Sequence, residues 1–181
     1  MKLTIRVVIV AILVLAACRA EAQTSGSIEL EQVVAGGVVT PQVNVYAKGP
    51  MRGKLGWTLW AQSSQVWGET IGGLTYAPAK WVELAGMVGL ETDQDPFRYS
   101  GSVWVGKGKY SLLSIQENGG SGHWQKNVAA VQVDPVFAIG LLQQTFVGTG
   151  PYFEAKSRRL TLWGAVTLDH PGILTGIRIG F

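Results

Sequence analysis

The feature that most constrains the fold is an alternation of apolar and polar residues, repeated over short segments from residue 27 to residue 181. Side chains of an extended strand point alternately to its two faces, so this alternation predicts strands that separate two environments. No window shows a convincing apolar stripe with the period of a helix. The chain is therefore predicted to be all-β.

Turn-forming residues divide this region into twelve segments, and an even number of antiparallel strands places both ends of the sheet on one side. The alternation is weak in 36–48 and 150–156, so ten strands, or eight, remain as alternatives. The predicted strands are 27–35, 41–48, 53–62, 66–77, 80–90, 97–106, 109–117, 123–133, 135–147, 150–156, 159–168 and 171–181.

The amino-terminal segment predicts secretion. An apolar run from Val7 to Ala17 follows a short basic start, which is typical of a signal peptide and too short to span a bilayer. Cleavage after Ala20-Glu21-Ala22 would give a signal peptide of 1–22 and a single barrel domain of 23–181. Alternatively, Leu15-Ala16-Ala17-Cys18 resembles a bacterial lipobox whose cysteine would carry a lipid. Cys18 is the only cysteine, so an internal disulfide is excluded.

The charge of the chain argues against nucleic acid as a partner. The formal net charge is +3, and removal of 1–22 lowers it to +1, because that segment holds Lys2, Arg6, Arg19 and Glu21. No dense basic cluster remains in the sequence.

Several segments have one face almost free of charge, as in Leu55/Trp57/Leu59/Ala61 and Ile173/Ile177/Ile179. A soluble β-sandwich and a membrane barrel both explain this pattern, since the apolar face meets a second sheet in one and lipid in the other. The signal peptide, a final strand that reaches Phe181, and aromatic residues near segment ends favour the barrel. The predicted fold is a closed, antiparallel, up-and-down transmembrane β-barrel, and the soluble or lipid-anchored sandwich is the alternative.

The connections fall into two sets on opposite sides of such a sheet. Tight turns near Lys48, Arg52, Lys80, Lys107, Arg158 and Arg159 form a basic set, whereas the other set contains Glu91, Asp93, Asp95 and Asp169. One rim of the barrel is therefore predicted to be basic and the other acidic.

The carboxy-terminal pattern Ile177-x-Ile179-x-Phe181 is similar to the assembly signal of bacterial outer-membrane β-barrel proteins, and 27–181 resembles a small porin-like barrel. The resemblance implies a location in the outer membrane, with both termini in the periplasm. It also implies contact with outer-membrane lipid and lipopolysaccharide, and recognition by the barrel-assembly machinery. The loops are short, which departs from the long extracellular loops of large porins.

Charged residues face hydrocarbon only at a high free-energy cost, so the barrel prediction places them inside. Two functions follow: a small passive pore for small solutes, or a closed structural barrel whose lumen is filled by ion pairs and indole rings. No cofactor or metal is predicted. The predicted lumen-lining residues are Glu83, Arg98, Lys126, Glu154, Arg178, Trp60, Trp104 and Trp163, with Glu29, Glu31 and Lys156 on the same face.

A lipid-modifying enzyme of the outer membrane is the alternative in a different class. Such an enzyme needs a histidine beside a serine, asparagine or acidic partner. The chain has two histidines, His123 and His170, and Ser121 lies on the same predicted strand face as His123. Both histidines are interpreted more simply as loop or turn residues, and the acidic run 91–95 as a solvated loop.

Overall fold

The computed structural model describes residues 24–181 of the chain. The predicted signal peptide, 1–22, lies outside the described residues, and it includes Cys18. Cleavage after Ala22 and lipidation of Cys18 therefore both remain predictions. Within 24–181 there is no helix of the length and apolarity that a membrane crossing requires. The described residues form twelve strands: β1 (Ser25–Ala35), β2 (Val38–Pro50), β3 (Leu55–Ser64), β4 (Gly68–Ala79), β5 (Val82–Glu91), β6 (Phe97–Lys107), β7 (Tyr110–Gly119), β8 (Gly122–Gln132), β9 (Phe137–Gln144), β10 (Gly148–Ser157), β11 (Leu160–Thr167) and β12 (Gly172–Gly180).

The strands form one closed sheet in which each strand pairs with its neighbours in the chain. The circuit closes where β1 pairs antiparallel with β12, with Glu29 opposite Arg178. Beyond β12, Gly26 N–H donates to the Phe181 carbonyl at 3.1 Å and Phe181 N–H donates to the Gly26 carbonyl at 3.0 Å. The prediction of a twelve-stranded all-β barrel is confirmed, and the ten-strand, eight-strand and β-sandwich alternatives are wrong.

The predicted strand boundaries agree with the structure to within a few residues. The largest difference is in β2, which is predicted as 41–48 but runs from Val38 to Pro50 in the structure. The strand is longer because its pairing with β1 continues to Ala35. Tight connections at one end of the barrel include Gly53 and Gly108, with φ angles of 63° and 62°. Glycine adopts this left-handed conformation without the strain that a Cβ atom causes.

The register assigns every strand residue to one of two faces. Residues that share the orientation of Glu29 and Arg178 form the inner face, and their chain neighbours form the outer face. The difference in exposure is large, since Glu29 is 5% exposed and the adjacent Leu30 is 57% exposed. Apolar exposed residues recur around the outside, including Leu84, Val88, Leu90, Phe97, Tyr99, Ile139, Leu141, Phe153, Ile173, Ile177 and Ile179.

The two ends of the barrel carry opposite charge. We call the end at which β1 begins and β12 ends the terminal rim, and the opposite end the distal rim. Among the described residues, lysines and arginines predominate at the terminal rim and carboxylates at the distal rim. The terminal cations include Lys48, Arg52, Lys54, Lys80, Lys107, Lys109, Lys156, Arg158 and Arg159; the distal carboxylates include Glu69, Glu91, Asp93, Asp95, Glu117 and Asp169.

Candidate functional site in the barrel lumen

The inner face contains all eight residues that the sequence suggested for the lumen. Cross-strand pairs link them by register, such as Glu83 opposite Trp104 and Glu154 opposite Trp163. The side chains are divided among several groups rather than gathered at one site. The eight residues are Glu83, Arg98, Lys126, Glu154, Arg178, Trp60, Trp104 and Trp163.

A buried arginine organises the wall formed by β4–β7 near the distal rim. The Arg98 side chain is 2% exposed and lies among three carboxylates from three different strands. Its Nη1 is 2.8 Å from Glu91 Oε2, its Nη2 is 3.0 Å from Glu117 Oε2, and its Nε is 2.6 Å from Glu69 Oε2. We call these four residues the arginine cluster. Because one guanidinium holds three acidic side chains, this cluster ties four adjacent strands together.

Indole rings surround the arginine cluster. Trp60 Nε1 donates to Glu69 Oε1 at 3.1 Å, and the Arg98 guanidinium carbon lies 5.4 Å from the centroid of the Trp67 ring. Trp60, predicted as a lumen residue, therefore belongs to this cluster. The interpretation of Glu91 as part of a solvated loop is wrong, because its carboxylate is buried against Arg98.

A second group lies on the opposite wall, where the barrel closes. Arg178 Nη2 is 2.6 Å from Glu29 Oε2, and Trp163 Nε1 donates to the same carboxylate oxygen at 2.9 Å. Tyr152 donates its hydroxyl hydrogen to Glu154 Oε2 at 2.8 Å. We call Glu29, Tyr152, Glu154, Trp163 and Arg178 the seam cluster, since it connects β1 with β10, β11 and β12.

Lys126 extends from β8 across the lumen to the β1 wall. Its Nζ is 3.8 Å from Glu31 Oε2 and lies over the Trp163 ring, 4.7 Å from the ring centroid. Five strand-to-strand steps separate β8 from β1 around the circuit. The lysine side chain therefore narrows the lumen at the level of the seam cluster.

Apolar residues fill part of the lumen between the seam cluster and the distal rim. Leu142 and Leu174 are 0% exposed although both lie on the inner face. This packing excludes water from one sector of the barrel and was not predicted, because apolar inner residues look like lipid-facing ones in the sequence. The packed group is Leu142, Val147, Tyr152, Trp163, Ala165 and Leu174.

Two cavities lie nearer the terminal rim. One, of about 360 Å³, includes Lys48 and Glu83, whose Nζ and Oε2 atoms form an ion pair at 2.8 Å. The other, of about 300 Å³, is lined by the inner faces of β6–β8 and β10–β12, including five of the predicted lumen residues. These are Trp104, Lys126, Glu154, Trp163 and Arg178.

The structure does not assemble a catalytic group around the histidines. Ser121 donates its hydroxyl hydrogen to Glu91 and its backbone N–H to Glu91 Oε1, so it belongs with the arginine cluster. His123 instead pairs through Nδ1 with Asn118 Oδ1 at 3.1 Å. His170 lies in the exposed β11–β12 loop beside Asp169. Among residues 24–181, no group of three or more suitable side chains could hold a metal ion.

The closed circuit, the apolar outer face and the charged inner face define a twelve-stranded antiparallel β-barrel with the face polarity of transmembrane barrels. Two solved structures of KdgM porin share this fold. KdgM porin in complex with disordered oligogalacturonate has a TM-score of 0.53 at 11% identity, covering 86% of this chain and 96% of that chain. A second KdgM porin structure has a TM-score of 0.53 at 12% identity, covering 85% and 96%.

A structure of NanC porin also matches, with a TM-score of 0.48 at 8% identity, over 84% of this chain and 97% of that one. No protein-family model and no curated protein matches the sequence. At these identities, the likeness to KdgM porin establishes the fold.

Proposed function

We propose that this protein is a bacterial outer-membrane β-barrel that acts as a narrow passive pore for small solutes. The observation that carries the proposal is the division of the closed sheet into an apolar outer face and a charged inner face. A closed barrel satisfies its backbone hydrogen bonds between strands, so it can cross a bilayer without exposing polar backbone groups. The shared fold of KdgM porin supports the same assignment.

The inner charges favour small ions and neutral solutes over large acidic ones. Seven carboxylates and five cations lie on the inner face of the described residues, so the lumen has no excess of positive charge. The oligogalacturonate bound by KdgM porin is therefore not a good model for the solute of this protein. The carboxylates are Glu29, Glu31, Glu69, Glu83, Glu91, Glu117 and Glu154; the cations are Lys48, Arg98, Lys126, Lys156 and Arg178.

Orientation and assembly follow from the same proposal. Both termini would face the periplasm, which places the basic terminal rim on that side and the acidic distal rim at the cell surface. Ile177 and Ile179 are 46% and 56% exposed on the outer face and would contact lipid. Together with Phe181 they would form the signal read by the barrel-assembly machinery, and lipopolysaccharide would surround the distal half.

A closed structural barrel is the second candidate function. The Lys126–Glu31 pair across the lumen and the packed apolar sector favour it. A lipid-modifying enzyme is not favoured, because Ser121 is held by Glu91 and Arg98 instead of His123.

A liposome-swelling assay with neutral sugars of increasing size tests the pore proposal. We expect swelling with the smallest sugars and a sharp decrease as solute size increases, because buried side chains narrow the lumen. Heat-modifiable gel mobility of the same preparation shows whether the barrel is folded. Folded protein that permits no swelling with any solute would contradict the pore and leave the structural barrel.

A further inference from the structure

The outer face of β7, β8 and β9 differs from the rest of the barrel surface. The inner residues of these strands are identified by their contacts, since Glu117 binds Arg98 and Lys126 approaches Glu31. Their chain neighbours therefore face outward, and from mid-strand to the distal rim these neighbours are polar. We call this set the outer polar patch: Ser114, Gln116, Asn118, His123, Gln125, Asn127, Gln143 and Thr145.

Apolar residues border the patch on β6 and, towards the terminal rim, on β9 and β10. On β6, Tyr99 is the cross-strand partner of Asn118 and Val103 is the partner of Ser114. On β10, Thr149 is the partner of Gln143, whereas Pro151 and Phe153 lie opposite Leu141 and Ile139, nearer the terminal rim. On the β6 side the apolar surface continues to the level of Asn118, so the patch does not mark a general end of the lipid-facing region.

The patch also extends well inside the span of the strands. Ser114 lies at the middle of β7, which runs from Tyr110 to Gly119, and Asn127 lies at the middle of β8. This inference rests on the proposed membrane location, in which the middle of each strand faces hydrocarbon. An amide that faces hydrocarbon without a hydrogen-bond partner is strongly unfavourable.

Some polar side chains of the patch make hydrogen bonds to each other, and others do not. Asn127 Nδ2 donates to Gln143 Oε1 at 2.6 Å, and His123 pairs with Asn118. Within the described residues, the side-chain amides of Gln116 and Gln125 make no such hydrogen bond. These two residues are direct cross-strand partners at the centre of the patch.

We propose that the outer polar patch is a dimer interface at which a second copy of this chain binds about a two-fold axis parallel to the membrane normal. A side-chain amide carries both donors and acceptors, so a surface of glutamine and asparagine is complementary to itself. Hydrogen bonds between polar side chains stabilise association inside membranes. No lysine, arginine or carboxylate belongs to the patch as defined, so it lacks the cations that would bind the phosphates of lipopolysaccharide.

Sedimentation equilibrium of the detergent-purified full chain tests the proposal. We expect a dimer for the wild type, and for Gln116→Leu combined with Gln125→Leu a dissociation constant raised by about tenfold or more. Gln32→Leu is the matched control, because Gln32 is an exposed outer-face glutamine on β1, and it should leave the dimer unchanged.

A second measurement uses thiol cross-linking in intact membranes. Gln125→Cys should give a cross-linked dimer, whereas Gln32→Cys should not. Three results would contradict the dimer interface without contradicting the membrane barrel. They are a heat-modifiable but monomeric wild type, a monomer with tightly bound lipopolysaccharide, and a dimer that is insensitive to the double substitution. Loss of heat-modifiable mobility in the wild type would instead overturn the membrane barrel, and this inference with it.

Discussion

Glu29 and Arg178 are separated by 149 residues in the chain and lie opposite each other where β1 meets β12, with Arg178 Nη2 2.6 Å from Glu29 Oε2. The pair also binds Trp163 through the same carboxylate. The closure of the barrel is therefore reinforced by an ion pair on its inner face as well as by the backbone ladder.

Removal of Arg178 should destabilise the barrel. The Glu29 side chain is 6% exposed, so Arg178→Met leaves a buried carboxylate without its cation. We expect the free energy of unfolding to fall by about 2–3 kcal/mol. This loss is below the usual range for fully buried ion pairs because Arg178 is partly exposed. Urea unfolding followed by gel mobility measures this loss. Arg159→Met at the exposed rim is the control, and adding Glu29→Gln to Arg178→Met should recover part of the stability.

Deletion of Phe181 should impair assembly more than conduction. The Phe181 ring packs against Gly26 on the outer face, so closely that a Cβ atom at Gly26 would lie 2.6 Å from Phe181 Cζ. The deletion should lower the amount of folded barrel in outer membranes, while the molecules that insert keep wild-type conductance. Phe137→Ala removes another exposed outer-face aromatic ring as a control. Wild-type membrane levels of the deletion would contradict the assembly role.

Substitution of Lys126 should widen the passage. Lys126→Met removes the charged group that reaches Glu31 across the lumen. We expect a higher single-channel conductance and a stronger preference for cations, because Glu31 loses its counter-charge. Lys109→Met at the terminal rim is the control, and at 1 M salt, where a rim charge acts over only about 3 Å, it should leave the conductance nearly unchanged. Equal effects of the two substitutions would show that Lys126 does not restrict the passage.

The opposite charges of the two rims should make the current depend on the direction of the voltage. Rim charges attract and repel mobile ions over about 30 Å at 0.01 M salt but only about 3 Å at 1 M. We expect an asymmetric current–voltage curve at low salt that becomes symmetric at high salt. Lys107→Gln with Lys109→Gln should reduce the asymmetry. An asymmetry that is independent of salt would point to a cause other than the rim charges.

The loop residue Asp169 should titrate below its ordinary range. The backbone N–H of Thr149 donates to Asp169 Oδ1 at 2.6 Å, and this hydrogen bond to the ionised form lowers the pKa of Asp169. This hydrogen bond between the start of β10 and the β11–β12 loop is therefore present at neutral pH and is lost as the pH falls through that lowered pKa. The Thr149 amide resonance in micelles should report this change, and Asp169→Asn should abolish it. A midpoint above the ordinary aspartate range would contradict this hydrogen bond.

The twelve strands were predictable because tight turns and alternation repeat along the whole chain. Residue pairs between adjacent strands follow from that alternation and from the turns. The arginine cluster was not predictable, because Glu69, Glu91 and Glu117 meet Arg98 only through the combined stagger of four strands.

The outer polar patch was missed for a different reason. In β7, the inner face carries Leu113 and Ile115, while the outer face carries Ser114 and Gln116. Hydrophobicity alone therefore assigns Ser114 and Gln116 to the inner face and Leu113 and Ile115 to the outer face, the reverse of the structure. The orientation of β7 is determined by its neighbours, since Glu117 must reach Arg98.

Planar-bilayer recording of the refolded barrel tests the central claim most directly, because it reports membrane insertion and an open lumen together. We predict small, discrete conductance steps that appear only with folded, heat-modifiable protein and increase in Lys126→Met. Folded protein that inserts, as shown by protection of its strands from added protease, but that never conducts would contradict the pore.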